Sequence, residues 1–149
     1  MKPVLMNRRA LIVGGFGLGL SFVAGAARAD DVPSGWADKA REVVQAQLDA
    51  FAADDARRAF LLASPSARKH LGSPDNFINL VRRSYAVVYR PATVAFLKPE
   101  WIDGEVVLGV QMTDTRGGAW LATYRLERQP DGLFLIGGCE LIENEGRYT

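Results

Sequence analysis

Apolar residues recur at Trp36, Ala40, Val43, Val44, Leu48 and Phe51, close to a 3.6-residue period, with charged residues between them. This spacing predicts a first helix that ends at Asp54 and Asp55. The same aspartates can cap a second, short helix carrying Ala56, Phe60, Leu61 and Ala63, which stops at Ser64-Pro65. "PSARKHLG" reads as one or two turns closed by Gly72. Ser73 then caps a third helix, with Pro74 at its first position, where a missing N–H costs nothing. Phe77, Ile78, Leu80 and Val81 form its inward side. Arg82 and Arg83 stand near its end, where positive charge is favourable.

After residue 84 the period changes. "YAVVYRPATVAFLKPEWI" is rich in aromatic and β-branched residues. "TVAFLK", "EVVLGVQMTD", "AWLATYRLER" and "LFLIGGCELI" read as four strands, joined by turns at Asp103-Gly104, "TRGG" and "QPDG". The expected fold class is α+β: three N-terminal helices packed on a curved antiparallel four-stranded sheet. Gly109, Gly137 and Gly138 lie inside strands, where glycine marks a bulge or bend.

Alternation puts Val106, Leu108, Val110 and Met112 on one face of the second strand. In the last strand it groups Leu133, Leu135, Cys139 and Leu141 against Phe134, Ile136, Glu140 and Ile142. One sheet face takes the helices. The other is too apolar to be plainly solvated, so a second copy of the chain is expected to cover it, giving a homodimer.

Residues 1–29 belong to a different class of sequence. Lys2, Arg8 and Arg9 precede an apolar run from Ala10 to Ala27, which ends in "AARAD" with Ala27 and Ala29 at small-residue positions. This is a signal-peptide pattern, with cleavage expected between Ala29 and Asp30 and no stable membrane anchor afterwards. Arg8-Arg9 before a Gly-rich run also fits a twin-arginine leader, although Asn7 replaces the usual Ser or Thr. The expected location is periplasmic or secreted. The remaining chain divides into a polar lead-in at 30–35 and a single α+β domain at 36–149.

Cleavage removes four of the 18 basic residues and none of the 17 acidic ones, leaving 14 against 17 and a formal net charge of −3. That balance lacks the basic excess of a nucleic-acid binder. Removing 29 of 149 residues leaves 120, enough for one core with a stability on the order of 6–18 kcal/mol. Cys139 is the only cysteine, so no disulfide can form within the chain.

Several stretches carry a resemblance: Gln47-x-x-x-Phe51, Ala63-x-Pro65, Tyr89-Arg90-Pro91, Arg128-Gln129-Pro130-Asp131-Gly132 and Gly138-Cys139. Over about residues 38 to 149 the chain resembles an uncharacterised family of exported bacterial proteins, domain of unknown function 4864. The family looks like part of the nuclear-transport-factor-2-like group. That resemblance implies a bent sheet wrapped around helices in a cone, with a cavity between them. It implies no particular activity, since the group holds both enzymes and non-enzymatic binders.

Candidates for chemistry are few. Cys139 has no neighbouring positive charge in sequence and is followed by Glu140, so it reads as a buried, inert thiol. His70, the single histidine, lies in a polar turn. Asp114 is a weak candidate for an acid–base residue beside His70, and it equally suits the "TDTRGG" turn. Tyr85, Tyr89, Arg90, Gln111 and Tyr124 are the candidates for lining a cone cavity, with Tyr89 and Arg90 at its mouth. One His and one Cys make a zinc or copper site unexpected, and no cofactor is expected. The leading expectation is a non-enzymatic domain that binds a small apolar ligand or a partner protein. The alternative is a cofactor-free lyase or isomerase with an acid–base residue in the cavity.

Overall fold

The computed structural model describes residues 30–144; the leader, its Arg8-Arg9 pair and Ala29 lie outside the described residues. Among the described residues five helices precede the main strands: α1 (Trp36–Ala52), α2 (Ala56–Leu61), α3 (Pro65–Leu71), α4 (Pro74–Ser84) and α5 (Ala86–Tyr89). The strands are β1 (Asp30–Asp31), β2 (Thr93–Phe96), β3 (Glu100–Ile102), β4 (Glu105–Thr113), β5 (Ala119–Arg128) and β6 (Phe134–Glu143). The protein is α+β, with helices on an open antiparallel sheet. Among the described residues no helix is long and apolar enough to cross a membrane.

The caps follow the chemistry of the side chains. Asp55 accepts the Arg58 N–H at 3.1 Å, Ser64 the Ala67 N–H at 3.2 Å and Ser73 the Asn76 N–H at 3.1 Å. Pro65 and Pro74 each occupy a first turn, where no donor is missed. α1 buries Ala40, Val44, Gln47, Leu48, Ala50 and Phe51. Two short helices go beyond the three expected. α3 is a full element, and "AVVY" forms α5 despite its β-branched content because Val87 and Val88 are both buried in the core. Burial at that corner overrides local propensity.

The sheet order is β1-β3-β4-β5-β6, with β2 also paired to β4. β2 and β3 share one edge of β4: β3 pairs with Glu105–Val107 and β2 with Val110–Thr113. Pro99, which has no N–H to donate, lies between them and is buried. The expected first strand, "TVAFLK", is β2, and β3 beyond Pro99 is a further strand that the sequence reading did not include. The polar lead-in joins the sheet as well: Asp30 pairs with Trp101 and Asp31 with Glu100, while Val32 packs against the core.

Val106, Leu108, Val110 and Met112 of β4 meet Ala122, Tyr124 and Leu126 of β5 on the helix-facing side, all at or below 1 % exposure. Trp36 closes one end of this core, 5.2 Å from Trp101 and 5.4 Å from Phe134 between ring centroids. Phe51 meets Phe77 edge-on at 5.5 Å toward the other end.

β6 corrects the face assignment made from alternation. Leu126 pairs with Ile136 and Arg125 with Gly138, so Gly137 is an extra residue with no partner on β5. The bulge switches the alternation. Phe134 and Ile136 face the core before it, and Cys139 and Leu141 pack against the core after it. Leu133, grouped with Cys139 by simple alternation, is instead 62 % exposed. Beside the bulge, Ser64 donates its N–H to Ile136 O at 2.8 Å and Ile136 donates to Leu62 O at 2.9 Å. This parallel bridge covers the free edge of β6 with the α2–α3 junction.

Deleting Gly137 makes the alternation unbroken and forces either Phe134 and Ile136 or Cys139 and Leu141 off the core face. Urea titration is expected to show a loss of at least about 3 kcal/mol of unfolding free energy. Gly137→Ala need only displace the Glu127 carboxylate, which lies 2.8 Å from an added Cβ, and is expected to lose about 1 kcal/mol.

Candidate functional site

Between the helices and β6 lies a cavity of about 230 Å³. α1 contributes Gln47 and Phe51, and α3 contributes Ala67, His70 and Leu71. Phe77, Leu80 and Val81 of α4 line it with Tyr85 and Val88. The sheet side is Tyr124 of β5 and the bulged run from Ile136 to Cys139 of β6. The bulge is what brings Cys139 to this wall, opposite Tyr124 in register.

The lining is mostly apolar, with a few polar atoms set into it. Gln47, 4 % exposed, donates its amide Nε2 to Ala59 O at 3.1 Å, which ties α1 to α2. Tyr124 is 1 % exposed and its hydroxyl has no hydrogen-bond partner. Burial holds its pKa well above the ordinary phenol value, and the neighbouring Cys139 adds to the shift. The Cys139 thiol is the polar group beside this hydroxyl.

Cys139 is half-buried as a residue, but its sulfur lies on the inner side. Its pKa is pushed up to about 12, chiefly by burial and also by Glu140, against the opposing effects of Tyr124 and Arg125. The thiol therefore stays protonated at neutral pH. Tyr85 is raised by burial first and then by Cys139 and Glu140. Each of these shifts means that the wall disfavours negative charge.

The residues singled out from sequence separate into distinct places. Tyr85, Tyr124 and His70 line the cavity, with His70 exposed at the α3 side. Gln111 is exposed on the outer face of β4, paired with Ala95 and Leu121. Asp114 belongs to the β4–β5 turn and is not among the lining residues. Its Oδ2 accepts from Trp120 Nε1 at 2.9 Å, and its Oδ1 from the N–H groups of Gly118 and Arg116 at 2.8 and 2.9 Å. The Trp120 bond, followed by the Gly118 bond, holds this carboxyl below the usual range, the opposite of what a neutral-pH base requires.

Tyr89 and Arg90 meet Asp54 outside the cavity. The Tyr89 hydroxyl donates to Asp54 Oδ1, Arg90 Nη2 lies 3.3 Å from both carboxylate oxygens, and Arg82 Nη2 lies 3.2 Å from Oδ1. Arg90 also stacks on Tyr89 at 4.1 Å and donates Nη1 to Phe51 O at 2.6 Å, near the end of α1. Asp54 itself has φ 55, in the left-handed region. This cluster pins the α1–α2 corner to α4 and α5. Its ion pairs are about half exposed, so its value lies in the network rather than in any one pair.

Sequence reasoning missed Gln47 and the part Cys139 plays in the wall. A signal for Gln47 was present: it is the one polar residue on the stripe Ala40, Val44, Gln47, Leu48, Phe51. Among the described residues no three His, Cys, Asp or Glu side chains converge as a metal set.

The profile of the family described as "Domain of unknown function (DUF4864)" matches residues 36–149. This chain belongs to the DUF4864 family. No curated protein and no solved structure matches it. Of the residues that carried the resemblance, Gln47, Phe51, Ala63, Gly138 and Cys139 all line the cavity of this DUF4864 domain.

A buried, neutral thiol reacts only when the chain opens. Iodoacetamide at pH 8 is expected to leave Cys139 of the native protein largely unmodified over a time that labels the urea-unfolded chain fully, as read by intact mass.

Proposed function

We propose that this DUF4864 protein is an exported, non-enzymatic domain that binds a small, largely apolar molecule in the cavity between its helices and β6. One observation carries this reading: a largely apolar cavity of about 230 Å³ between the helices and β6. The leader pattern supports export to the periplasm or beyond. Helices followed by an antiparallel sheet, with a cavity between the layers, support the nuclear-transport-factor-2-like grouping. A lyase or isomerase reading has less to rest on, because Asp114 is held ionised in a turn and His70 stands exposed at the rim.

An uncharged bicyclic hydrocarbon such as tetralin is a suitable probe. At several times its dissociation constant it is expected to raise the melting temperature by roughly 4 °C. Ala67→Phe, which fills the cavity from the α3 side, is expected to abolish that shift while leaving the unliganded protein folded. A probe that stabilises neither protein, or both equally, removes the cavity from consideration.

We also propose that a second copy covers the outer sheet face. Val107, Leu121 and Leu135 are only half-buried there, and Ile142 is 48 % exposed. Light scattering at micromolar concentration is expected to return twice the chain mass, and Leu121→Lys to return the monomer mass.

A further inference from the structure

Resting on the ligand-binding reading, the charge around the cavity mouth narrows what the molecule carries at its outer end. We propose that the ligand is a single-chain amphiphile with an anionic head: its tail fills the cavity, and its head stays in water at the mouth between α3 and α4, beside His70, Leu80 and Arg83.

The walls decide which end goes in. Among the described residues no Lys, Arg, Asp or Glu lines the cavity. Burial raises the pKa of both Tyr85 and Cys139, so this wall favours neutral forms. A charged head carried inward would lose its water and gain no counter-charge, which is strongly unfavourable. An amphiphile therefore enters tail first. Two lining residues are themselves exposed, His70 of α3 and Leu80 of α4, and they mark the mouth. A tail of about eight carbons fills a space of this size at the packing density of protein interiors.

Charge along the chain decides the sign of the head. Residues 56–90, which run from α2 to α5, hold seven basic residues and one acidic, a net +6. The rest of the chain from residue 30 holds seven basic and 16 acidic, a net −9. The helical layer at the mouth is thus the positive part of an otherwise negative protein, and its field favours an anion there. Some of that charge is neutralised. Arg82 and Arg90 pair with Asp54, and Arg58 lies with Glu42 and Asp49 of α1. Lys69 and Arg83 have no ion pair among the described residues.

These two cations flank the mouth. Arg83 follows Leu80 by three residues, so the pair are neighbours on the exposed side of α4. Arg83 Nε donates to Asn79 O at 3.3 Å, and its Nη groups have no partner among the described residues. Lys69 stands exposed next to His70 in the last turn of α3, and an imidazole, even when neutral, has one N–H to donate to an anion. The carboxylates of this region lie away from that spot. Asp75 is about 140° around α4 from Leu80, and Glu140 acts on Tyr85 and Cys139 from the β6 side.

Titration calorimetry on the mature protein with octanoate, octylammonium and 1-octanol tests this, at neutral pH, low salt and below micelle-forming concentrations. The two ions share a tail and differ in the sign of the head. Octanoate is expected to bind at least about 3-fold tighter than octylammonium. Salt at about 0.5 M is expected to narrow that ratio, because the head is exposed to screening. Arg83→Glu is expected to bring the two ions to within about 2-fold of each other. Arg116→Glu, the same charge change in the β4–β5 turn, is expected to leave the ratio as in the wild type, and 1-octanol to bind all three proteins alike. Equal affinity for the two ions, tighter octylammonium, or binding of 1-octanol alone overturns the anionic head and leaves the cavity reading standing. A preference for octanoate that survives both salt and Arg83→Glu overturns the assignment to this mouth. Binding of none of the three probes overturns the cavity reading as well. If Arg83→Glu does not fold, the wild-type ratio and its salt dependence decide the matter.

Discussion

The register of β6 against β5 depends on a single unpaired residue, and most of what distinguishes this domain follows from it. A strand shows alternate side chains to its two faces, so an uninterrupted β6 would present either Phe134 and Ile136 or Cys139 and Leu141 to the helices, never both. The extra residue at Gly137 lets both pairs face inward. The first pair seals the core under Trp36; the second sets a thiol beside the phenol of Tyr124. The same irregularity lies where the α2–α3 junction bonds to Ile136, so the helical layer is tied to the sheet at the point where the sheet departs from regularity.

A cavity opens at this point because the elements around it are short and turn sharply. α3 buries none of its residues and runs from the Ser64 cap to Gly72, whose φ of 83 suits glycine alone among common residues. It lies over the bulge as a partial wall, and the space behind it is not filled from the sheet side, where Gly137 and Gly138 have no side chains. The buried polar atoms behind that space differ in kind. The Gln47 amide is bonded and structural, whereas the Tyr124 hydroxyl is unbonded. The reading of function rests on the space itself and on its largely apolar lining.

Elsewhere the polar side chains have already found structural partners. Asp54 collects Tyr89, Arg82 and Arg90 at the corner where α1 ends, and Asp114 collects three donors at the β4–β5 turn. Both aspartates hold the chain in conformations it would otherwise leave readily. Such groups look chemically promising in a list of residues, because aspartate, arginine and tyrosine are also the tools of catalysis. Their hydrogen bonds show them committed to architecture.

Local patterns decided much of this protein. The 3.6-residue stripe of α1, the serine and aspartate caps, the prolines at helix starts and the alternation in β4 are each written within a few residues, and the structure follows them. The α+β class and the inward set Val106, Leu108, Val110 and Met112 were legible for that reason. Cys139 was legible as an apolar filler because its neighbours carry no cation. What lay beyond the sequence involved distance along the chain. Whether Gly137 is a bulge depends on its pairing with Arg125 and Leu126, and whether Val87 and Val88 are strand or helix depends on the core they meet. That Tyr85 and Tyr124 share a cavity while Tyr89 and Gln111 do not is set by how helices and sheet stack. No run of adjacent residues encodes that stacking, because it is decided by burial summed over the whole domain.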